Sequence, residues 1–389
     1  MTLVDRSPDL SRLVADGYDI EVRDGNLLIH HVPYVNGIGK VDHCILVSDL
    51  STNAERTIAP SRHEVWVVGD IPHDHQGNKI TIIADEDGND YGNGLIASCR
   101  LSGKPGGQMP VDYYQKMSNY IKVLGQYARA IDSTATHEGY PPRQTSPEES
   151  VFCYHDSATS RAGLSAVTGK LKVGKVAIVG LGGTGSYVLD LVAKTPVIEL
   201  HLYDDDVFFA HNAFRAPGAA TFDDVAKSLP KVDYFAGMYS QFRRNIAPHP
   251  VRVTEENVDE LLSMDFVFLT MDAGPSKRVI VERLKAHGVS FIDCGMGIQR
   301  QDNSLRGIVR VTTGTKGHFG HLDRRISYTD VGADEYDWNI QTADLNMLNA
   351  AMAVLKWKKL CGYYIDSKNE FNSQFTVARN QLHNGEVAE

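Results

Sequence analysis

The spacing of apolar positions changes near the middle of the chain. In the first part Leu10, Leu13 and Val14 share one helical face, and Gly17 ends that helix. Short strand-like runs follow at 18–23, 27–32, 41–47, 63–68, 80–83 and 95–101, divided by turn signals such as Asp24-Gly25-Asn26 and Gln76-Gly77-Asn78. A long helix is predicted over 111–132, where Tyr114, Met117, Ile121, Leu124, Ala128 and Ile131 recur every three or four residues. A stripe of this kind covers the sheet of its own domain.

Beyond residue 150 strands alternate with helices, which calls for a parallel sheet. Strands are predicted at 176–179, 198–203, 251–254, 266–271 and 290–294, with a further one at 304–312. Helices are predicted at 184–194, 231–244 and 276–287. An Ala-rich last helix at 342–360 carries Leu345, Leu348, Met352 and Leu355 at helical spacing. The stretch 137–149 is rich in Pro, Ser and charge and has no apolar period, so it reads as a linker. The expected organisation is an N-terminal α+β domain over 1–140, a linker over 141–150, an α/β domain over 151–375 with a Rossmann-like, mostly parallel sheet flanked by helices, and a flexible tail over 376–389.

The sharpest local feature lies at the start of the second domain. An apolar strand, Val176 to Val179, runs into Gly180-Leu181-Gly182-Gly183-Thr184-Gly185, and a helix opens behind it. Glycines are needed there because the chain turns sharply and a phosphate must approach backbone N–H groups at the positive helix end. The next strand ends in Asp204, where a Rossmann enzyme places an acid on ribose hydroxyls. A dehydrogenase fits up to this point. Arg215, Lys231 at the start of a helix and Asp272 just past a strand go further, because an arginine, a lysine and a metal-binding carboxylate suit a triphosphate better than a dinucleotide.

These residues resemble the ThiF/HesA/MoeB family, the adenylation fold shared with ubiquitin-activating enzymes. The match runs from Lys175 to about Gly297: the glycine loop, Asp204 and Asp206 followed by Asn212 and Arg215 in N-x-x-R, Pro230-Lys231, and Asp272. The resemblance implies ATP and Mg²⁺ as cofactors and adenylation of the C-terminal carboxylate of a small ubiquitin-like or sulfur-carrier protein ending in Gly. It implies that Gly180, Gly182, Gly183 and Gly185 cradle phosphates and that Asp204 binds the ribose, with Asp206 beside it in the D-x-D. Asn212 and Arg215 would approach the phosphates, Lys231 would neutralise them, and Asp272 would hold Mg²⁺. It further implies a homodimer in which Arg161 reaches into the neighbouring subunit's site, and a conjugating enzyme as a further partner. The N-terminal extension resembles that of bacterial members that accompany ubiquitin-like modifiers, which implies a partner-binding or carrier-docking role.

Composition changes the picture only at the edges. The 389 residues hold 39 Lys+Arg against 49 Asp+Glu, and a net charge of −10 excludes a protein whose main task is to coat nucleic acid or an anionic membrane. The five cysteines, Cys44, Cys99, Cys153, Cys294 and Cys361, include no C-x-x-C pair. The zinc that many relatives hold through two such pairs is therefore not expected, and a reducing, cytoplasmic setting is. No signal-peptide pattern opens the chain, and no run of 18 apolar residues occurs. Cys294 reads as a buried structural thiol inside an apolar strand, which leaves open whether it, Cys153 or Cys361 ever carries an acyl group.

Other polar groups carry less. His73-Asp74-His75 lacks a third ligand and reads as a solvated turn, 85–90 as a hairpin turn, and 318–321 as a loop. Two competing readings stand beside adenylation: an NAD-dependent oxidoreductase, from the glycine loop and Asp204 alone, and a catalytically silent scaffold of the same fold.

Overall fold

The computed structural model describes residues 3–387 except 54, 87, 93, 138–149, 155, 157–158, 160–161, 163 and 329–339. The predicted linker thus lies outside the described residues apart from Ser150. The chain divides into two compact units, Met1–Gly169 and Lys170–Glu389. The division falls beyond the predicted linker. One tie that keeps the short helix Ser165–Gly169 with the first unit is the bond Asn26 Nδ2 donates to Ser165 Oγ over 3.3 Å.

The first unit is an antiparallel sheet of β1 (Ile20–Arg23), β2 (Asn26–Val35), β3 (Val41–Asp49), β4 (Val65–Val68), β5 (Ile83–Asp85) and β6 (Cys99–Leu101), in the order β1-β2-β3-β4-β6-β5. Helix α1 (Pro8–Ala15) and the long helix α2 (Tyr113–Ile131) bury their apolar stripes in one core with Leu27, Ile29, Leu46 and Val67. Asp112 caps α2 by accepting from Gln115 N at 2.7 Å. The stripe read from the sequence is thereby accounted for, except that Ile131 at the last turn is exposed. A buried ion pair, Lys116 to Asp49 at 3.3 Å, links α2 to the end of β3.

The second unit carries an eight-stranded sheet. Strands β7 (Lys175–Val179), β8 (Glu199–Tyr203), β9 (Ile246–His249), β10 (Phe266–Leu269) and β11 (Phe291–Gln301) are parallel in the order β11-β10-β7-β8-β9. Strands β12 (Ser304–Gly314), β13 (Glu370–Thr376) and β14 (Gln381–Val387) extend the β11 edge antiparallel. Helices α3 (Gly183–Ala193), α4 (Lys231–Ser240), α5 (Pro275–His287) and α6 (Ala343–Leu360) flank this sheet. Strand β7 shows why both faces are covered: Val176 and Ile178 enter a core with Leu189, Phe268 and Trp357, while Ala177 and Val179 enter another with Ile280, Leu284 and Phe291. The strands are parallel, but the order in which they are added reverses at β7, with β8 and β9 on one side and β10 and β11 on the other; there open α/β sheets form a crevice at their strand ends.

Two expectations are corrected here. The strand predicted at 251–254 is instead β9 at Ile246–His249, because α4 stops at Ser240 and Asn245 turns the chain early in the left-handed region, φ +59°. Residues 376–389 were expected to be a flexible tail, yet a short turn with Asn380 at φ +47° leads into β14, which pairs with β13. Glu386 closes this hairpin onto the body by pairing with Arg325 at 2.7 Å and Arg324 at 3.1 Å. Its mainly polar sequence hid the strand. No described helix is long and apolar enough to cross a membrane.

Candidate active site

The glycine loop is built from three different needs. Gly180 takes φ +93°, and a Cβ there would come within 2.9 Å of Met271 N, so both turn and crowding call for glycine. Gly185 has no room either: a Cβ would overlap the Gly180 carbonyl oxygen and stand 2.6 Å from Thr270 Oγ1. Gly183 packs so closely on α6 that a Cβ would overlap the Asn346 amide, whose Oδ1 accepts from Thr184 Oγ1 at 2.9 Å. Gly182 differs. It is the N-cap of α3, its φ is −69°, and nothing lies within 4 Å of where its Cβ would be. Open space thus faces the positive end of an eleven-residue helix.

Beside the loop, the end of β8 supplies the acids. Asp204 is nearly buried and accepts from Leu181 N at 2.6 Å through Oδ2 and from Asp206 N at 2.9 Å through Oδ1. These bonds pin the glycine loop to the strand end. Lys231, the first residue of α4 and only 5 % exposed, places Nζ 2.6 Å from Asp206 Oδ2 and 3.4 Å from Asp204 Oδ1. Asp205 pairs with Arg252 at 3.6 Å. The oxygens of Asp204, Asp205 and Asp206 are close enough together to hold a metal ion, but each carboxylate already faces one of the chain's own cations.

Asn212 and Arg215 belong to the short helix Ala210–Ala213 and the turn after it. Asn212 Oδ1 accepts from Phe209 N at 2.8 Å, while its Nδ2 and the Arg215 Nε are buried without hydrogen-bond partners among the described residues. Buried donors without partners are costly, and of these two residues only Arg215 lines the cleft, where a ligand's oxygen would satisfy it.

Across the crevice, Asp272 follows β10 as an exposed carboxylate, and Gly274 caps α5 just beyond it. One carboxylate with room beside it fits Mg²⁺, which keeps several waters and takes the rest of its oxygens from phosphates. Three residues here were missed by sequence reasoning. Asp293, fully buried at the end of β11's parallel stretch, faces Lys277 Nζ at 2.8 Å and Arg310 Nη2 at 2.6 Å. The signal was a carboxylate inside the apolar run Phe291-Ile292-Asp293-Cys294, because an acid there must be paired. Its partners come from α5 and β12 and could not be read locally.

These elements enclose a cleft of about 740 Å³. Gly180, Gly182, Gly183, Asp204, Asp206, Arg215, Lys231 and Asp272 all line it, together with Lys277, Arg310 and Asn349. Gly185 and Asn212 do not line it and support its wall. Arg161 lies outside the described residues. Cys294 lines the cleft, and burial, with the Asp293 charge, pushes its thiol well above the ordinary range. Burial likewise raises Cys361 to about 11, whereas Cys153 is exposed. The turn at His73-Asp74-His75 is an Asp74-centred loop, in which Asp74 Oδ1 accepts from Gln76 N at 2.8 Å and Asn78 N at 2.9 Å.

Residues 158–320 match the ThiF family, and residues 8–157 match a domain of unknown function, DUF6791. Residues 158–320 are thus a ThiF-family domain. No curated protein matches. Among solved structures, E. coli MccB is 18% identical with a TM-score of 0.46 over 79% of this chain and 94% of that one. Selenomethionine PaaA is 16% identical, TM-score 0.47, over 75% of this chain and 93% of that one. E. coli MccB with ATP is 18% identical, TM-score 0.44, over 58% and 67%. With these TM-scores below 0.5, the reading of the cleft rests on this chain's own residues.

Proposed function

From the premise of a ThiF-family domain over residues 158–320, we propose that this chain uses ATP to adenylate the C-terminal carboxylate of a small ubiquitin-like or sulfur-carrier protein ending in Gly. The carboxylate attacks the α-phosphate, pyrophosphate leaves, and the acyl-adenylate is then open to a thiol. Both reactants are anions, so the chain's task is to position them and supply positive charge. No general base is needed for a carboxylate nucleophile.

In this reading Gly182 and the α3 N-terminus take phosphate oxygens, Asp204 the ribose hydroxyls, and Arg215 and Lys231 the phosphate charge. Asp272 would hold Mg²⁺, which supplies charge neutralisation on the departing pyrophosphate. Arg161 would complete the set from a second copy in a homodimer. The raised thiols of Cys294 and Cys361 favour transfer to a separate conjugating partner, with the exposed Cys153 as the internal alternative. Partner docking falls to the N-terminal unit.

The observation that carries the reading is the buried ammonium of Lys231 beside the glycine loop. A dinucleotide's pyrophosphate, with about two charges, is held largely by a helix N-terminus, whereas a triphosphate with about four calls for added cations. Calorimetric titration of the full chain with Mg-ATP and with NAD tests this. The reading expects binding of ATP and none of NAD; tight NAD binding without ATP binding would return the dehydrogenase, and no nucleotide binding the silent scaffold.

A further inference from the structure

The first unit holds a cavity of its own, of about 80 Å³. His63, Lys116, Asn119 and Tyr120 line it, together with Met109 and Val111 from the loop that leads into α2. Tyr120 fixes this corner of the unit: its hydroxyl accepts from Gly103 N at 2.9 Å and donates to the His63 carbonyl at 2.9 Å. A water claims roughly 30 Å³, so the space takes a few waters or a carboxylate with a short stem.

Lys116 is the unusual member. It is only 1 % exposed, yet among the described residues its Nζ makes a single hydrogen bond, to Asp49 Oδ1 at the long distance of 3.3 Å. An ammonium has three hydrogens to donate, and leaving donors unused in the interior is costly. Burial accordingly pulls Lys116 below its ordinary value, against the pull of Asp49. The half-buried Asn119 makes no side-chain hydrogen bond among the described residues either. The charges nearby are uneven. Asp49 answers Lys116, and Asp85 and Glu64 answer Arg100, whereas Arg62 and Lys104, whose charges also reach this corner, form no ion pair among the described residues. Four cations thus face three carboxylates, in a chain whose net charge is −10. His63 feels the same field: burial lowers it, and Lys104, Lys116 and Arg100 oppose its protonation while Glu64 alone favours it.

We propose that this cavity binds a carboxylate on a short aliphatic stem, the acid meeting Lys116 and the Asn119 amide and the stem lying against Met109 and Val111. The surplus is one positive charge, which a carboxylate matches and a phosphate, with about 1.5 to 2 negative charges, exceeds. Met109 and Val111 are exposed and apolar, so a stem gains by covering them. The site stands apart from the adenylation reading, because every residue in it belongs to the first unit. An acidic side chain of a partner polypeptide and a free short-chain acid share this chemistry.

The test uses the full chain with isotope-labelled methionine methyls, in which the exposed Met109 reports occupancy by NMR and is assigned through Met109→Leu. Butyrate and its neutral counterpart butyramide are titrated at constant ionic strength. The wild type is expected to give a saturable Met109 shift with butyrate and to bind butyramide at least about tenfold more weakly, the scale of a charge-assisted hydrogen bond. The double variant Lys116→Met with Asp49→Asn removes both charges of the buried pair, so no carboxylate is stranded in the core, and should lose the preference for the acid. Asn119→Leu changes no charge, guards against a misfolded double variant, and should weaken butyrate by about two- to tenfold, the range for one neutral hydrogen bond. Acetyl-Ala-Glu-Ala-amide, beside its Gln counterpart, separates the sources: a Glu peptide bound more tightly than butyrate puts the acid on a partner polypeptide, and the reverse order makes the ligand a free acid. A Met109 methyl that does not shift, or that answers butyrate and butyramide alike, leaves water alone beside Lys116 and overturns the proposal. So does a preference for the acid that survives in the folded double variant, or butyrate binding untouched by Asn119→Leu.

Discussion

Lys231 Nζ lies 2.6 Å from Asp206 Oδ2, a buried ammonium answered by an exposed carboxylate at the lip of the cleft. The pairing holds the Lys231 side chain in place beside the glycine loop. Asp206, largely in solvent, can turn away at little cost, since an ion pair with an exposed partner contributes little.

Lys231→Met should therefore weaken Mg-ATP binding by roughly ten- to a hundredfold, the range for losing a hydrogen bond to a charged group. The fold should survive, as a methionine fills similar space. Calorimetry with circular dichroism on the same sample checks both; unchanged ATP affinity in a folded variant would remove Lys231 from the site.

Two neighbouring glycines should behave in opposite ways. Gly185→Ala forces a methyl into the Gly180 carbonyl and should cost about 1–3 kcal/mol of stability, the usual scale of overpacking. Gly182→Ala meets nothing in the chain and should leave the melting temperature nearly unchanged while weakening nucleotide binding. Thermal melts and ATP titrations of the two variants separate packing from ligand clearance, and a Gly182→Ala protein that binds ATP normally would contradict the placement of phosphate there.

Burial orders the thiols. Cys44 and Cys294 are buried with thiols pushed far up, Cys361 is raised to about 11, and Cys153 is exposed. Because the thiolate is the reactive form, iodoacetamide at mildly alkaline pH should label Cys153 first and spare Cys44 and Cys294 until denaturant is added. Peptide mass spectrometry over a time course reads the order. Early labelling of Cys294 would reopen it as an acyl acceptor.

The N-terminal unit has its own acid dependence. Burial opposes the charge of Glu21, but hydrogen bonds from His30 and Arg23 outweigh it and hold the carboxyl at about 2 against an ordinary 4.5. A lowered folded-state value means the stabilisation is fully present above about 4.5 and is lost as the pH falls towards 2. Glu21→Gln should loosen the β1 and β2 amides at pH 6 and narrow that difference at pH 3, as followed by hydrogen exchange. Identical protection of both proteins at pH 6 would show that the pair contributes nothing.

What the sequence revealed and what it hid follow the range of the interactions. The glycine loop, Asp204 and Lys231 were legible because each stands at a strand end or helix start that local pattern marks, and the strand order then gathers them at one crevice. The Lys277, Asp293 and Arg310 cluster was not, because three elements meet in it through packing and the β11–β12 register, which sets Gly295 opposite Arg310. The strand β14 was missed for another reason: Gln381, His383 and Asn384 give no apolar alternation, and its pairing follows from the hairpin rather than from burial.

The central claim is adenylation, and its most direct measurement is ATP–pyrophosphate exchange by the full chain with a small ubiquitin-like protein ending in a flexible Gly. The account predicts exchange that depends on that protein's free C-terminal carboxylate and drops by at least about a hundredfold in Asp272→Ala, the scale of removing one group that stabilises transition-state charge. Exchange that ignores the carrier, or an Asp272→Ala variant as active as the wild type, would contradict it.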